Sequence, residues 1–232
     1  MKTIGLIGGM SWESTVPYYR QINETVRDHL GGLHSAKLVL YSVDFQEIEH
    51  LQHAGDWDSA GQRLADAARA LQAAGADFLV LCTNTMHKVA GVIESSVTIP
   101  LLHIADPTAE AVKQAGLHKV GLLGTRFTME QAFYRQRLSE RHGIEVLIPE
   151  EADREIVHRV IYDELCLGKL REDSRLAYRR IIADLVAQGA QAVILGCTEI
   201  ALLVSAEDAT VPLFDTASLH ATAAALQAIS KT

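Results

Sequence analysis

The sequence predicts an α/β protein made of two pseudo-symmetric lobes, each a parallel sheet flanked by helices, with an interlobe cleft. Two observations predict it. First, the chain is written twice. "KTIGLIGGM" from Lys2 returns as "HKVGLLGTR" from His118, and "YYRQI" from Tyr18 as "FYRQR" from Phe133. "GADFLVLCTNTMHK" from Gly75 returns as "GAQAVILGCTEIAL" from Gly189, and "TIPLLHIAD" from Thr98 as "TVPLFDTAS" from Thr210. The offsets are 116, 115, 114 and 112 residues (Gly5 to Gly121, Tyr18 to Phe133, Gly75 to Gly189, Thr98 to Thr210). Four segments in one order at nearly constant spacing mark a duplicated half. Second, short apolar runs alternate with longer stretches of helical period, the pattern of right-handed βαβ units.

The elements follow in order. Ile4–Ile7, Leu38–Ser42 and Phe78–Leu81 read as strands of the first half, and Val120–Leu123, Val146–Ile148 and Ala192–Leu195 as strands of the second. Their continuous apolar character predicts burial on both faces. Residues 60–73 and 175–186 carry apolar side chains at three and four spacing and read as helices. Each "TIPLL"-like unit supplies a fourth strand after a crossover. Proline at a strand start fits a boundary, so Pro100 and Pro212 place the lobes at residues 1–99 plus 213–232 and at residues 100–212.

Composition narrows the function classes. At 232 residues the chain can bury a sizeable core. Twenty-one basic against 29 acidic residues give a net charge of −8, which disfavours nucleic acid as a partner. No apolar run is long enough to span a membrane or act as a signal peptide, so a cytoplasmic location is expected. Three cysteines make no disulfide framework, and no cysteine or histidine spacing suggests a metal site. A cysteine that matters here matters as a thiol.

Ligands of open parallel sheets sit beyond the carboxyl ends of the strands. Gly8 to Ser11, Cys82 to Thr85, Gly124–Thr125 and Gly196 to Glu199 all fall there. Asn84, Thr85 and Thr198 are good helix-capping residues, so helix starts are expected after Thr83 and Cys197. Their free N–H groups would hold a carboxylate and favour thiolate over thiol at Cys197. Two acid/base groups on opposite sides of a tetrahedral carbon, one from each half, would invert a stereocentre. In the internal alignment, however, Thr83 lies where the second half has Cys197. "GLIGGM" lacks the dinucleotide fingerprint spacing. Cys82 should point into packing beside Thr83, and Cys166 reads as helix core.

"GGMSWEST", "CTNTMH" and "GCTEI", with the duplication spanning nearly the whole chain, resemble the aspartate/glutamate racemase family, which is independent of pyridoxal phosphate. They resemble in particular its enterobacterial branch of broad or L-aspartate/glutamate-directed activity. The resemblance implies a cofactor-free amino-acid racemase that needs no metal, with Cys197 as catalytic cysteine and Thr83 in the place of its opposite number. It implies substrate contacts from Met10, Ser11, Gln52, Asn84, Thr85, Thr125, Thr198 and Glu199. Lys169 is a candidate for a distal carboxylate. A small amino acid is then the partner, and a homodimer fits the family. A hydroxyl cannot titrate near neutrality, so catalysis is expected to be lopsided. Two other functions fit the same residues: a single-cysteine decarboxylase or isomerase of a dicarboxylic acid, and a non-catalytic binder of small carboxylates. Solvent deuterium at the α-carbon without loss of carbon dioxide separates the first alternative; tight binding of unchanged ligand marks the second.

Overall fold

The computed structural model describes residues 1–230. The first half runs β1 (Ile4–Gly8), α1 (Trp12–Leu30), β2 (Leu38–Ser42), α2 (Phe45–Ala54), α3 (Trp57–Ala73), β3 (Phe78–Leu81), a 3-10 turn (Thr85–Val89), α4 (Ala90–Ser95) and β4 (Leu101–Leu102). The second runs α5 (Ala105–Gln114), β5 (Lys119–Gly124), α6 (Arg126–Glu130), α7 (Ala132–Gln136), a π turn (Arg137–Arg141), β6 (Glu145–Leu147) and α8 (Glu151–Asp163). After a 3-10 turn (Leu165–Leu167) come α9 (Glu172–Ala187), β7 (Ala192–Gly196), α10 (Ile200–Leu203), a 3-10 turn (Ala206–Asp208), β8 (Leu213–Asp215) and α11 (Thr216–Ile229).

The sheets share one topology. Their strand orders are β2-β1-β3-β4 and β6-β5-β7-β8, with every pair parallel. Duplication in sequence is thus duplication in fold. Each sheet carries its own apolar cluster. In the first, Ile7, Leu64, Leu71, Leu79 and Leu81 pack with Met10 and Met86. In the second, Val157, Tyr178, Ile181, Leu185, Val193 and Leu195 pack with Cys197. No helix among the described residues is long and apolar enough to cross a membrane.

Two expectations need correction. The strands are not all buried on both faces: β2 lies at a sheet edge, and Leu40, Tyr41 and Ser42 are exposed. Nor do the lobes divide at residues 99/100 and 212/213. Pro100 and Pro212 sit inside the ladders, their carbonyls accepting from the Leu79 and Val193 N–H groups at 2.8 and 3.0 Å. Proline there opens a strand that belongs to the sheet before it. The compact units are Met1–Ile104 with the chain from His220 on, and Ala105–Leu219. So α5, which follows the first sheet, belongs to the second unit and packs on β8. Most of α11, which follows the second sheet, belongs to the first unit, where the Ala228 carbonyl accepts the Lys2 N–H at 2.8 Å.

Candidate active site

In the first unit, β1 ends at Gly8 and the chain turns through Gly9, whose φ is +93° and whose missing Cβ would lie 2.4 Å from the Val43 carbonyl. Only glycine fits there. The Gly9 N–H donates to Thr15 Oγ1 at 2.9 Å, and that hydroxyl donates onward to the Ser11 carbonyl at 2.9 Å. Met10 and Ser11 are thereby held buried at the strand end. Gln52, on α2, is also buried and donates to Met86 Sδ at 2.9 Å, which seats its amide against the 3-10 turn after Thr83.

The β3 end carries Cys82, Thr83, Asn84 and Thr85, all buried. Cys82 leans toward the Val80 carbonyl at 3.9 Å, and burial pushes its thiol far above the ordinary range, so it is packing. The Thr83 N–H donates to the Leu81 carbonyl at 2.8 Å. Asn84 stands at the head of the 3-10 turn but makes no side-chain cap. His87, on that turn, places Nδ1 2.7 Å from the Thr83 carbonyl and receives the Ile104 N–H on Nε2 at 3.2 Å.

In the second unit, β5 ends at Gly124 and Thr125 caps α6, its Oγ1 accepting the Thr128 N–H at 3.3 Å. The β7 end carries Cys197, Thr198 and Glu199. Glu199, 2% exposed, curls back so that Oε2 accepts Cys197 Sγ at 3.1 Å and Thr198 Oγ1 at 2.7 Å. Its Oε1 faces Cys166 Sγ at 3.9 Å. One buried carboxylate therefore gathers two thiols and a hydroxyl. Lys169 is exposed on the loop before α9, and its backbone N–H bonds the Glu164 carbonyl at 2.9 Å.

The electrostatics reverse an expectation. Burial pushes the Cys197 thiol well above its ordinary range, and the Glu199 carboxylate and Cys166 push the same way. The anticipated helix dipole cannot offset this, because α10 spans only four residues and Thr198 gives its hydroxyl to Glu199 instead of capping. Cys197 is thus held as a thiol hydrogen-bonded to the Glu199 carboxylate.

Sequence reasoning missed two groups near this end. The sequence reads Cys166 as helix core, yet it stands on the 3-10 turn Leu165–Leu167 and its sulfur meets Glu199, 33 residues away, a separation with no linear signal. Asp215 closes β8 in register with Leu195 of the strand that leads to Cys197. Burial raises its carboxyl, although the Ala217 and Ser218 N–H groups at 2.9 and 3.3 Å oppose that rise. The repeat did hold a signal here, since it pairs Asp215 with His103. Among the described residues, no group of three or more His, Cys, Asp or Glu is placed to hold a metal ion.

Comparison with known proteins agrees with this architecture. The broad specificity amino-acid racemase RacX of Bacillus subtilis (strain 168) is 22% identical over 224 residues, 93% of each chain. A crystal structure from Yersinia pestis, described as a candidate Asp/Glu racemase, superposes with a TM-score of 0.93 at 63% identity, covering 99% of this chain and all of that one. An aspartate racemase homologue from Pyrococcus horikoshii OT3 gives 0.85 at 35% identity, with the same coverage. Residues 7–224 match the Asp/Glu/Hydantoin racemase family, and the chain belongs to that family of isomerases.

Proposed function

We propose that the protein is a cofactor-independent racemase of aspartate, glutamate or a broader set of amino acids, with Cys197 as principal acid/base and Thr83 in the place of a second cysteine. The observation that carries this reading is the Cys197–Glu199 contact at the end of β7, with Thr83 at the same point of the repeated half. A thiol with a raised pKa is a poor base until its proton leaves. Glu199 Oε2 lies on the line of that proton. The S–H bond breaks as an O–H bond forms on Glu199, and the thiolate takes the α-proton of the bound amino acid. The substrate ammonium group would favour both the thiolate and the carbanion.

Inversion then needs a proton on the opposite face. Thr83 carries an alcohol, too weak an acid to store charge, and it serves by donating its own proton while taking one from water; the hydroxide left is neutralised by the proton that Glu199 returns to solvent. Abstraction from the Cys197 side is therefore fast and the reverse slow, with the equilibrium unaffected. Ser11, Asn84, Thr85, Thr125 and Thr198 supply the polar groups that would receive the α-carboxylate, with Met10 as a wall and Gln52 as a side-chain contact. The test is deuterium wash-in from solvent with both enantiomers of several amino acids, comparing wild type with Cys197→Ala. Wash-in that depends on Cys197 and releases no carbon dioxide supports the reading; wash-in by the alanine variant at the wild-type rate ends it.

A further inference from the structure

The turn that carries Thr83 is held by a side chain with no equivalent in the other half. A carbonyl only accepts, so the 2.7 Å contact between His87 Nδ1 and the Thr83 oxygen puts a hydrogen on Nδ1. A backbone N–H only donates, so the 3.2 Å contact from Ile104 makes Nε2 an acceptor. Both ring nitrogens are committed, and His87 is a neutral imidazole in one tautomer. The ring is 3% exposed and wedged against His103, centroid to centroid 4.4 Å, and His220, at 6.0 Å. His220 is itself fixed, accepting Tyr18 Oη on Nδ1 at 2.9 Å and donating from Nε2 to the Leu102 carbonyl at 2.8 Å. Two imidazoles thus grip the backbone on either side of His103.

The consequence falls on Thr83. Its N–H is held by Leu81 and its carbonyl by His87, so its peptide planes are pinned from both ends. The Cα–Cβ direction is then set, and a β-branched side chain has little χ1 freedom left. By the 114-residue offset His87 corresponds to Ala201 (87 and 201), whose side chain offers no donor; the Cys197 carbonyl there receives a backbone N–H, from Ile200 at 3.1 Å. An alcohol needs this more than a sulfur does, because an O–H group transfers its proton only over a short, aligned contact.

We propose that His87 is a positioning residue that aims the Thr83 hydroxyl for protonation of the face opposite Cys197. The proposal rests on the functional reading above. Each enantiomer is incubated in deuterium oxide with wild type, His87→Ala, His87→Asn and Cys197→Ala, and deuterium is counted in the recovered starting enantiomer and in its mirror image. Recovered label reports the Cys197 step, whereas mirror-image label needs Thr83. Their ratio within one sample does not depend on how much protein is folded. For the enantiomer that Cys197 deprotonates, His87→Ala should lower inversion relative to retained exchange by at least about tenfold. His87→Asn should restore most of it, since the asparagine amide nitrogen lies as many bonds from Cα as Nδ1 does. An unchanged ratio, or no recovery with asparagine, overturns the role of His87. Exchange persisting in Cys197→Ala would instead overturn the functional reading itself, and this proposal with it.

Discussion

The ends of β3 and β7 occupy equivalent places in the two repeats, yet their chemistry differs throughout. At the first, Thr83, Asn84 and Thr85 are uncharged, and imidazoles stand at His87 and His103. At the second, Cys197, Thr198 and Glu199 combine thiol, alcohol and carboxylate, and the histidine positions have become Ala201 and Asp215. The backbone frame is common, down to the strand order and the carbonyl that each proline lends to the ladder. Duplication preserved a scaffold while the side chains at its two strand ends diverged. On the proposed function, the second end would ionise and store a proton and the first would present a hydroxyl.

That contrast can be broken from the second half outward. Cys197→Ala removes the ionising group and should lower deuterium wash-in by about 10³-fold or more. Glu199→Gln keeps the shape but not the proton acceptor, and steady-state racemisation should fall by about 10²-fold. The same variant gives a second readout. Alkylation of Cys197 by iodoacetamide should show a midpoint above the ordinary thiol value of about 8.5 in wild type, moving down when the Glu199 charge is removed. A midpoint that stays put would show that the carboxylate does not govern the thiol.

Thr83→Cys sharpens the comparison by making the halves alike. Wash-in from the slower enantiomer should rise by about tenfold, with little change for the faster one. The smallest expected effect lies away from the strand ends. Asp106, at the start of α5, takes Arg137 in two bonds of 2.7 and 2.6 Å and His142 at 3.0 Å. Burial raises its carboxyl, but these partners outweigh it and the net shift is downward. Its contribution is therefore complete above the ordinary carboxylate value of 3.8 and fades as pH falls through the lower folded-state value. Asp106→Asn should cost about 1–3 kcal/mol in urea unfolding at pH 7, a gap that narrows in acid.

Much of the fold was legible because period and repetition are linear signals. The apolar runs located β1, β3, β5 and β7 to within a residue or two, and the matched offsets paired the halves. The domain boundary was not legible, because proline at 100 and 212 reads the same whether a strand opens a new unit or closes the old sheet. At the site, Cys197 and Thr83 stood out through the internal alignment. The direction of the thiol shift did not, since it depends on Glu199 folding back and on α10 stopping after one turn. Cys166 was invisible for a plainer reason: its contact is tertiary, and nothing near "DELCLG" points to Glu199. His87 has no linear sign of its partners: both ring nitrogens are engaged, and only the fold shows whose carbonyl it holds.

The traffic of α5 and α11 bears on how the molecule can be taken apart. Each sheet is followed by a helix that the opposite unit claims, an intramolecular trade of terminal segments. A fragment cut after Ile104 forfeits the alanine-lined helix that seats His220 beside Tyr18 and Leu102. The second unit, Ala105–Leu219, stays continuous after such a cut, whereas the first loses part of itself, so the chain of this enzyme ends in the unit where it began.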